Sequence, residues 1–398
     1  MKKKEYSIDI AGKKLSAEFN DLADQANGSV MVRYGDTVVL ATAVMGKDPK
    51  DADFFPLTVD YEERFYATGK ILGSRFVRRE GRPSEEAILS GRIVDRTIRP
   101  LFNQRMRNEV QVVLTTISIG VEDPDVVAVV AASLALGTSN IPWNGPASAV
   151  RIGHNDSWLV NPPFALREDP SLTVDMIACG KDGMINMIEV ASKEVGEDVL
   201  DQALAKASEE IEKIQAWQKK IIADIGNTKA EVALPEPTPG TVELFKKEIA
   251  PKLEKHVFSG PGKKSLEDLN TQWIELFNEK LPEGHVGMAQ EVFEEAVNDM
   301  LHEEAITNDR RADGRKMDEI RPIFVQAGGI SPILHGTGIF YRGGTHIMSA
   351  LTLGSPGDAL VIDGVVAQEN KRFMHHYNFP PFSTVDTGRI GGTNMRMN

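Results

Sequence analysis

The apolar and polar positions of this chain change period several times, and each change marks a structural element. Val30–Val32 and Thr37–Val44 are β-rich runs on either side of a glycine turn, so a hairpin is expected there. Phe54–Tyr61 and Val110–Ile119 read as further strands. Asp125–Gly137 is apolar on every side of a helical wheel, which predicts a helix buried between sheet layers. Met176–Cys179 and Met184–Val190 flank Gly180-Lys-Asp-Gly183, whose Asp-Gly pair is a hairpin turn signal. The period then becomes helical, with Leu200, Leu204, Ala207, Ile211, Ile214, Ile221 and Ile225 on one stripe. Pro235-Glu-Pro-Thr-Pro-Gly240 is a linker, and helical stretches continue to about Ile306. The expected organisation is an α+β core over 1–195, an all-α domain over 196–306 and a second α+β segment over 307–398.

The second α+β segment echoes the first. Gly28-Ser-Val-Met-Val-Arg33-Tyr-Gly35-Asp-Thr37 is answered by Gly338-Ile-Phe-Tyr-Arg342-Gly-Gly344-Thr345, with a slip of about one residue at the turn. Phe55-Pro-Leu57 and Thr68-Gly-Lys70 find counterparts in Phe379-Pro-Pro381 and Thr387-Gly-Arg389. The first copy continues into Arg78-Arg79-Glu80 and a long helix, whereas the second reaches Gly391-Gly-Thr-Asn394 close to Asn398. A second copy this short is expected to lack a full sheet layer and to expose apolar strand faces and unpaired edges.

With 398 residues, 41% hydrophobic and 26% charged, the chain has room for two or three domains, each with its own core. No apolar run approaches the ~20 residues that span a bilayer. Cys179 is the one cysteine, which excludes internal disulfides and cysteine-based zinc clusters and fits a reducing cytoplasm. The net charge of −13 argues against a nucleic-acid partner until its distribution is considered. Between Arg64 and Arg107 there are 11 Lys/Arg against four Asp/Glu, a basic window that focuses field on one site.

Within that window lies Arg75-Phe76-Val77-Arg78-Arg79-Glu80-Gly81-Arg82-Pro83-Ser84. An aromatic ring among arginines on a Gly/Pro-bounded loop suits single-stranded nucleic acid: the ring stacks on a base and the guanidiniums take phosphates. Ser84 is a good N-cap for the following helix, with Glu85 and Glu86 in its positive first turn. Arg92, Arg96 and Arg99 then fall on one face, and Ile88, Leu89, Ile93 and Ile98 are expected on the buried side. Three guanidiniums on one stripe repel each other unless an anion or acidic partner lies between them. Asp95, about 100° round the helix from Arg96, is not expected to neutralise the whole row; the alternative is an exposed helix with surface arginines.

Taken together, Phe54-Phe-Pro-Leu-Thr-Val-Asp-Tyr61, Arg78-Arg79-Glu80-Gly-Arg-Pro-Ser-Glu85, Asp95-Arg96-x-Ile98-Arg99-Pro100-Leu-Phe102, Asp313-Gly-Arg-x-x-x-Glu-Ile-Arg-Pro322 and Phe373-Met-His-His-Tyr-Asn-Phe-Pro-Pro-Phe382 resemble bacterial polynucleotide phosphorylases along nearly the whole chain. The resemblance implies two RNase PH-like cores, of the ribosomal protein S5 domain 2-like class, flanking an all-α domain, with KH and S1 domains to follow. It implies a cytoplasmic homotrimer, open to partners in an RNA-degradation complex, that threads RNA into a central channel. There inorganic phosphate, assisted by Mg²⁺, releases nucleoside diphosphates from the 3′ end, and the reverse reaction polymerises them. Carried over by motif, Phe76, Arg78, Arg79 and Arg82 would grip RNA, and Arg92, Arg96 and Arg99 would contact RNA or phosphate. The usual aromatic pair before the two arginines is here Phe76-Val77. The family's catalytic and metal-binding residues lie further along the second core, so by resemblance none falls within this chain. The expectation is therefore a C-terminally truncated phosphorylase, inactive alone; a non-catalytic RNA-binding or assembly subunit is the alternative. Asp175 and Asp182 are the carboxylates on which a site in the first core would have to rest.

Overall fold

The computed structural model describes residues 3–50, 52, 54–71, 81, 83–260, 262, 264–366, 368–384, 387–388 and 395–397. They fall into two compact units, one of residues 1–234 with 362–369, the other of 235–361 with 370–398.

The first unit is α+β. Strands β1 (Lys3–Ile10), β2 (Lys13–Asn20), β3 (Gly28–Tyr34) and β4 (Thr37–Pro49) form an antiparallel meander. After β5 (Leu57–Glu62) and helix α1 (Glu85–Ile98), strand β6 (Asn108–Ser118) inserts between β4 and β5, antiparallel to one and parallel to the other. Helix α2 (Pro124–Thr138) follows, then β7 (Ser148–His154), β8 (Trp158–Val160), the single turn α3 (Phe164–Arg167), β9 (Val174–Lys181) and β10 (Met184–Ser192), which make a second sheet in the order β10-β9-β7-β8.

Helix α2 lies between the two sheets, against β3 and β4 on one side and β7 on the other, and every residue of it except Asp125 is buried. An all-round apolar sequence demands this placement, because any face turned to water would expose valine or leucine. Its fit to β3 is close: a Cβ on Gly28 would fall 2.1 Å from the Ala135 carbonyl oxygen. The β9–β10 hairpin turns at Asp182 and Gly183, both at positive φ (52° and 77°), as a two-residue turn of this hand requires.

Helix α4 (Glu197–Ile225) corrects the domain boundary expected at 196. Its Ala/Glu/Lys-rich composition suggested the helical insert, but Ala203, Ala207, Ile211, Ile214 and Ile221 are buried in the first unit's core against β7 and β9. Buried Gln218 donates to the Ala147 carbonyl (2.8 Å) and the Ser148 hydroxyl (2.7 Å). Beyond the helix, the Lys229 ammonium donates to the Leu136, Gly137 and Ser139 carbonyls at the C-terminal end of α2 (2.8, 3.1 and 2.8 Å). Burial pushes this amine down to about 8. The compact unit accordingly ends at Leu234, just before the Pro-rich linker.

In the second unit, α5 (Pro239–Glu248), α6 (Ala250–Val257), α7 (Lys264–Lys280) and α8 (Val286–Asn308) gather around Phe245, Trp273, Phe277 and Phe293. The Trp273 indole donates to the Ala289 carbonyl at 2.7 Å. Strands β11 (Ile323–Ala327), β12 (Gly336–Arg342) and β13 (Thr345–Leu351) form a three-stranded antiparallel sheet, and the short pair β16 (His376–Asn378) with β17 (Met395–Met397) follows; the pair β14 (Leu360–Asp363) with β15 (Gln368–Lys371) flanks the 362–369 segment that belongs to the first unit.

The sheet β11-β12-β13 repeats β2-β3-β4 at one constant residue offset. Gly336 stands where Gly28 does, and Thr345 where Thr37 does; Gly35 and Gly343 both open their two-residue turns at φ 58°. The pairings coincide as well: Leu15↔Tyr34 with Ile323↔Arg342, Glu18↔Met31 with Gln326↔Ile339, and Val30↔Ala41 with Gly338↔Ser349. The apparent slip at the turn therefore disappears, and Arg342 occupies the place of Tyr34 rather than of Arg33. Burial does not repeat. Leu15, Val30, Val32, Val39 and Ala41 are buried in the first unit's core, whereas Ile323, Phe340, Ile347 and Leu351 are exposed, as expected for an uncovered strand face.

Candidate nucleic-acid interface

Phe76, Arg78, Arg79 and Arg82 lie outside the described residues, but both flanks of their segment are fixed. On the N-terminal side Phe65–Thr68 form a helical turn, and the Thr68 hydroxyl and Lys70 ammonium donate to the Val365 carbonyl at 3.3 and 3.2 Å. On the C-terminal side Ser84 caps α1 as expected: its hydroxyl accepts from the Ala87 amide (2.9 Å) and donates to Glu63 (2.5 Å).

The arginine row on α1 divides in two. Arg92 is exposed, and Arg96 is exposed with one ion pair to Glu189 on β10 (3.2 Å). Arg99 faces inward along the chain instead: it grips Asp95 with two donors (3.0 and 2.6 Å) and reaches the Phe55 and Leu57 carbonyls at 3.4 and 3.1 Å. Asp95 thus neutralises the member one turn ahead of it, and Arg99 is a brace between α1 and the strand entering β5. The expected buried side of the helix also changes. Ile88 and Leu89 are exposed, while Ala87, Ser90, Gly91, Ile93, Val94, Thr97 and Ile98 are buried. Helix and strand approach so closely that a Cβ on Gly91 would sit 3.5 Å from Tyr61 Cβ, which admits only small side chains there. Arg99→Ala is expected to lower stability by about 1–2 kcal/mol through its lost charge-assisted bonds. Arg92→Ala should stay within about 0.5 kcal/mol. Thermal unfolding of the two variants side by side checks this; equal shifts would return Arg99 to the exposed row.

The carboxylates of the first unit are not gathered for metal chemistry. Asp182 sits in the β9–β10 turn, paired with Lys219 at 2.8 Å, and that hydrogen bond holds its carboxyl below the usual range. Asp175 is elsewhere, in a network that the sequence did not reveal. Arg151 on β7, nine-tenths buried, pairs with Asp123, with Asp175 at 2.9 Å and with Asp125 at 3.9 Å. Arg167 pairs with Asp123 at 3.5 Å and Asp175 at 3.2 Å. Burial alone would lower the Arg151 pKa, but Asp123 and Asp175 outweigh it and the net shift is upward. Burial and the neighbouring Asp123 charge raise the Asp125 carboxyl to about 7. Each of these carboxylates already faces a guanidinium, and among the described residues no group of three His, Cys, Asp or Glu could hold a metal ion. Burial pushes the Cys179 thiol up to about 12, which makes it an unreactive core residue.

In the second unit the Asp313-Gly-Arg motif is a local clasp. Asp313 holds Arg315 at 2.7 Å, with Arg321 at 3.7 Å and Arg311 at 3.9 Å, and Arg315 also donates to the Glu319 carbonyl at 2.7 Å. Among the described residues no helix is long and apolar enough to cross a membrane.

Residues 11–142 match the family model described as 3′ exoribonuclease family, domain 1. The polyribonucleotide nucleotidyltransferase of Geobacillus kaustophilus is 43% identical over 401 residues, covering 99% of this chain and 55% of that protein. That of Halalkalibacterium halodurans is 43% identical over 403 residues, covering 98% and 56%. The Heliobacterium modesticaldum enzyme of the same name is 42% identical over 399 residues, covering 98% and 55%. The chain spans about half the length of the curated relatives it matches. Among solved structures, rice Rrp46 overlays on 55% of this chain and 94% of its own at a TM-score of 0.42 and 14% identity.

Proposed function

The chain belongs to the polyribonucleotide nucleotidyltransferase family, and from that premise we propose that it serves in 3′-to-5′ phosphorolysis of single-stranded RNA. In that reaction an oxygen of inorganic phosphate bonds to the terminal phosphorus, the bond from that phosphorus to the preceding 3′ oxygen breaks, and a nucleoside diphosphate leaves. The observation that carries the reading is the 43% identity running through 99% of the chain, far beyond the residues of the domain match.

In this reading the first unit supplies contacts on the RNA side. Phe76 stacks on a base, and Arg78, Arg79 and Arg82 take backbone phosphates. Arg92, exposed on α1 with no ion pair among the described residues, and Arg96, held by one exposed ion pair, contact RNA or the attacking phosphate. Arg99 supports them by fixing the helix. The family implies Mg²⁺, yet the carboxylates in the first unit do not fit it, since each of Asp123, Asp125 and Asp175 already faces a guanidinium. No step of the chemistry is assigned to them. The same family reading proposes a cytoplasmic homotrimer as the working assembly and other RNA-degrading proteins as partners.

The test is one experiment in two parts on the 398-residue chain. It should bind single-stranded RNA with a steep salt dependence, which Arg78→Ala with Arg79→Ala flattens while weakening binding at every sequence. With phosphate and Mg²⁺ it should release no nucleoside diphosphate. Unchanged affinity and salt slope in the double variant would remove the arginine segment from the interface. Diphosphate release that Asp175→Asn and Asp182→Asn together abolish would instead place an active site in the first unit.

A further inference from the structure

Beyond α8 the chain is exposed almost throughout. Among the described residues there, Val365 is the only buried one, at 4% exposure, while the adjacent Val366 is 47% exposed. Val365 lies between β14 and β15, whose facing ends are clasped by the Gln368 amide donating to Asp363 at 2.9 Å. Residues 362–369 belong to the first unit, and the bond from Thr68 to Val365 there spans 297 positions of the chain.

The turn that Val365 meets is Phe65–Thr68. Its own bonds close it: the Gly69 amide donates to the Tyr66 carbonyl and the Lys70 amide to the Phe65 carbonyl, both at 2.9 Å. The Ile119 amide donates to the Ala67 carbonyl, also at 2.9 Å, and ties the turn to the end of β6. Val365 holds it from the other side. Its carbonyl accepts from the Lys70 ammonium at 3.2 Å and from the Thr68 hydroxyl at 3.3 Å, a hydroxyl shared with the Phe65 carbonyl. Burial of an apolar side chain and a charge-assisted bond to its backbone are two separate holds on one residue.

The stretch that carries Phe76, Arg78, Arg79 and Arg82 follows Lys70 in sequence and ends at Ser84. Its far end is fixed, since the Ser84 hydroxyl donates to Glu63, two residues before the turn, at 2.5 Å. Its near end starts from the turn that Val365 holds. We propose that Val365 is a positioning residue for RNA binding, fixing the point from which the arginine-bearing stretch departs. The inference rests on the reading of that stretch as an RNA contact. A segment fixed at both ends loses less conformational freedom when a ligand orders it than one fixed at a single end. Val365 offers no charge to a phosphate, so its loss should weaken binding while leaving the salt slope as it was.

The test uses the 398-residue chain and a fluorescent oligouridylate. Val365→Ser should weaken binding about three- to tenfold, the ordering cost of one further side chain, at an unchanged salt slope. Amide exchange should rise at Gly69 and Lys70 and stay slow along β6, which separates a loosened turn from an unfolded unit. Val365→Ile should keep both the affinity and the slow exchange. Thr68→Val, which removes one donor and keeps the shape, should move affinity and exchange in the same direction as Val365→Ser if that variant fails to fold. Arg78→Ala with Arg79→Ala, measured in parallel, should flatten the slope and leave exchange at Gly69 and Lys70 alone. An arginine pair without effect would remove the reading of that stretch; Val365→Ser would then still have to weaken binding. Unchanged exchange at Gly69 and Lys70 in Val365→Ser, or faster exchange with unchanged affinity, would overturn the proposal.

Discussion

Arg151→Ala is expected to cost the first unit about 3–5 kcal/mol, among the largest effects of any single polar substitution in the chain. Arg151 sits on a central strand of the second sheet and ties together the segment leading into α2, through Asp123, and strand β9, through Asp175. Its removal leaves two carboxylates facing each other with only Arg167 between them, at 3.5 and 3.2 Å. The loss is the penalty of unpaired buried charge more than the worth of the pair, so neutralising the partners should recover much of it. Arg151→Met combined with Asp123→Asn and Asp175→Asn should be more stable than Arg151→Ala by about 2 kcal/mol or more. Hydrogen exchange at the β7 and β9 amides reports on this unit separately from the helical one. A loss below about 1 kcal/mol in Arg151→Ala would mean that the network relaxes into water.

This network shows where the sequence stops being readable. Asp123 with Asp125, Arg151, Arg167 and Asp175 come from four places along the chain, and no local pattern joins them. Elements whose cause is local were legible. Asp182-Gly183 form the expected turn because two consecutive positive φ values suit few other pairs. Helix α2 was legible as a buried element because its composition leaves no alternative. Helix α1 was legible in its position and its cap but not in its orientation. The rule that large apolar residues face inward failed at Ile88 and Leu89, since the close approach to β5 selects Ala87, Ser90 and Gly91 for the interface.

The boundary between units failed for a related reason. The Ala/Glu/Lys-rich surface of α4 is what any long exposed-face helix carries, and its buried Gln215 and Gln218 look polar in sequence while their amide N–H groups donate to the Pro146 and Ala147 carbonyls. The duplication was visible in sequence, yet its register was not, because Arg33 and Arg342 invite an alignment one residue out of step. Strand pairing resolves it, as a shift of one residue would turn every side chain to the other face. The arginine row of α1 was picked out by charge and spacing, and the structure separates Arg99, which is spent on carbonyls and Asp95, from the exposed Arg92 and Arg96.

The second large effect is a pH dependence that resides in Asp125. Its carboxyl, partly buried at the helix start, is raised to about 7 by that partial burial and by the Asp123 charge; the Ser90 hydroxyl on α1 and the Arg151 and Arg167 guanidiniums oppose the shift without cancelling it. Arg151 is its nearest cation and stands 3.9 Å away, closer to Asp175 than to it. In the unfolded chain this group titrates near 3.8. The folded state therefore holds a proton that the unfolded state has released throughout the interval between those values. Stability from this group is complete below the unfolded value and is lost as pH rises to about 7. Asp125→Asn removes the titration and should make the fold more stable than the parent by a few kcal/mol above pH 7, with the difference shrinking to near zero toward pH 4. The side chain lies in the first turn of α2, where an amide replaces a carboxylate with little change of shape. Denaturant unfolding of both proteins at several pH values gives the difference directly. A difference that does not change with pH would show that Asp125 is charged in the folded protein throughout, held by Arg151 as firmly as its two neighbours are.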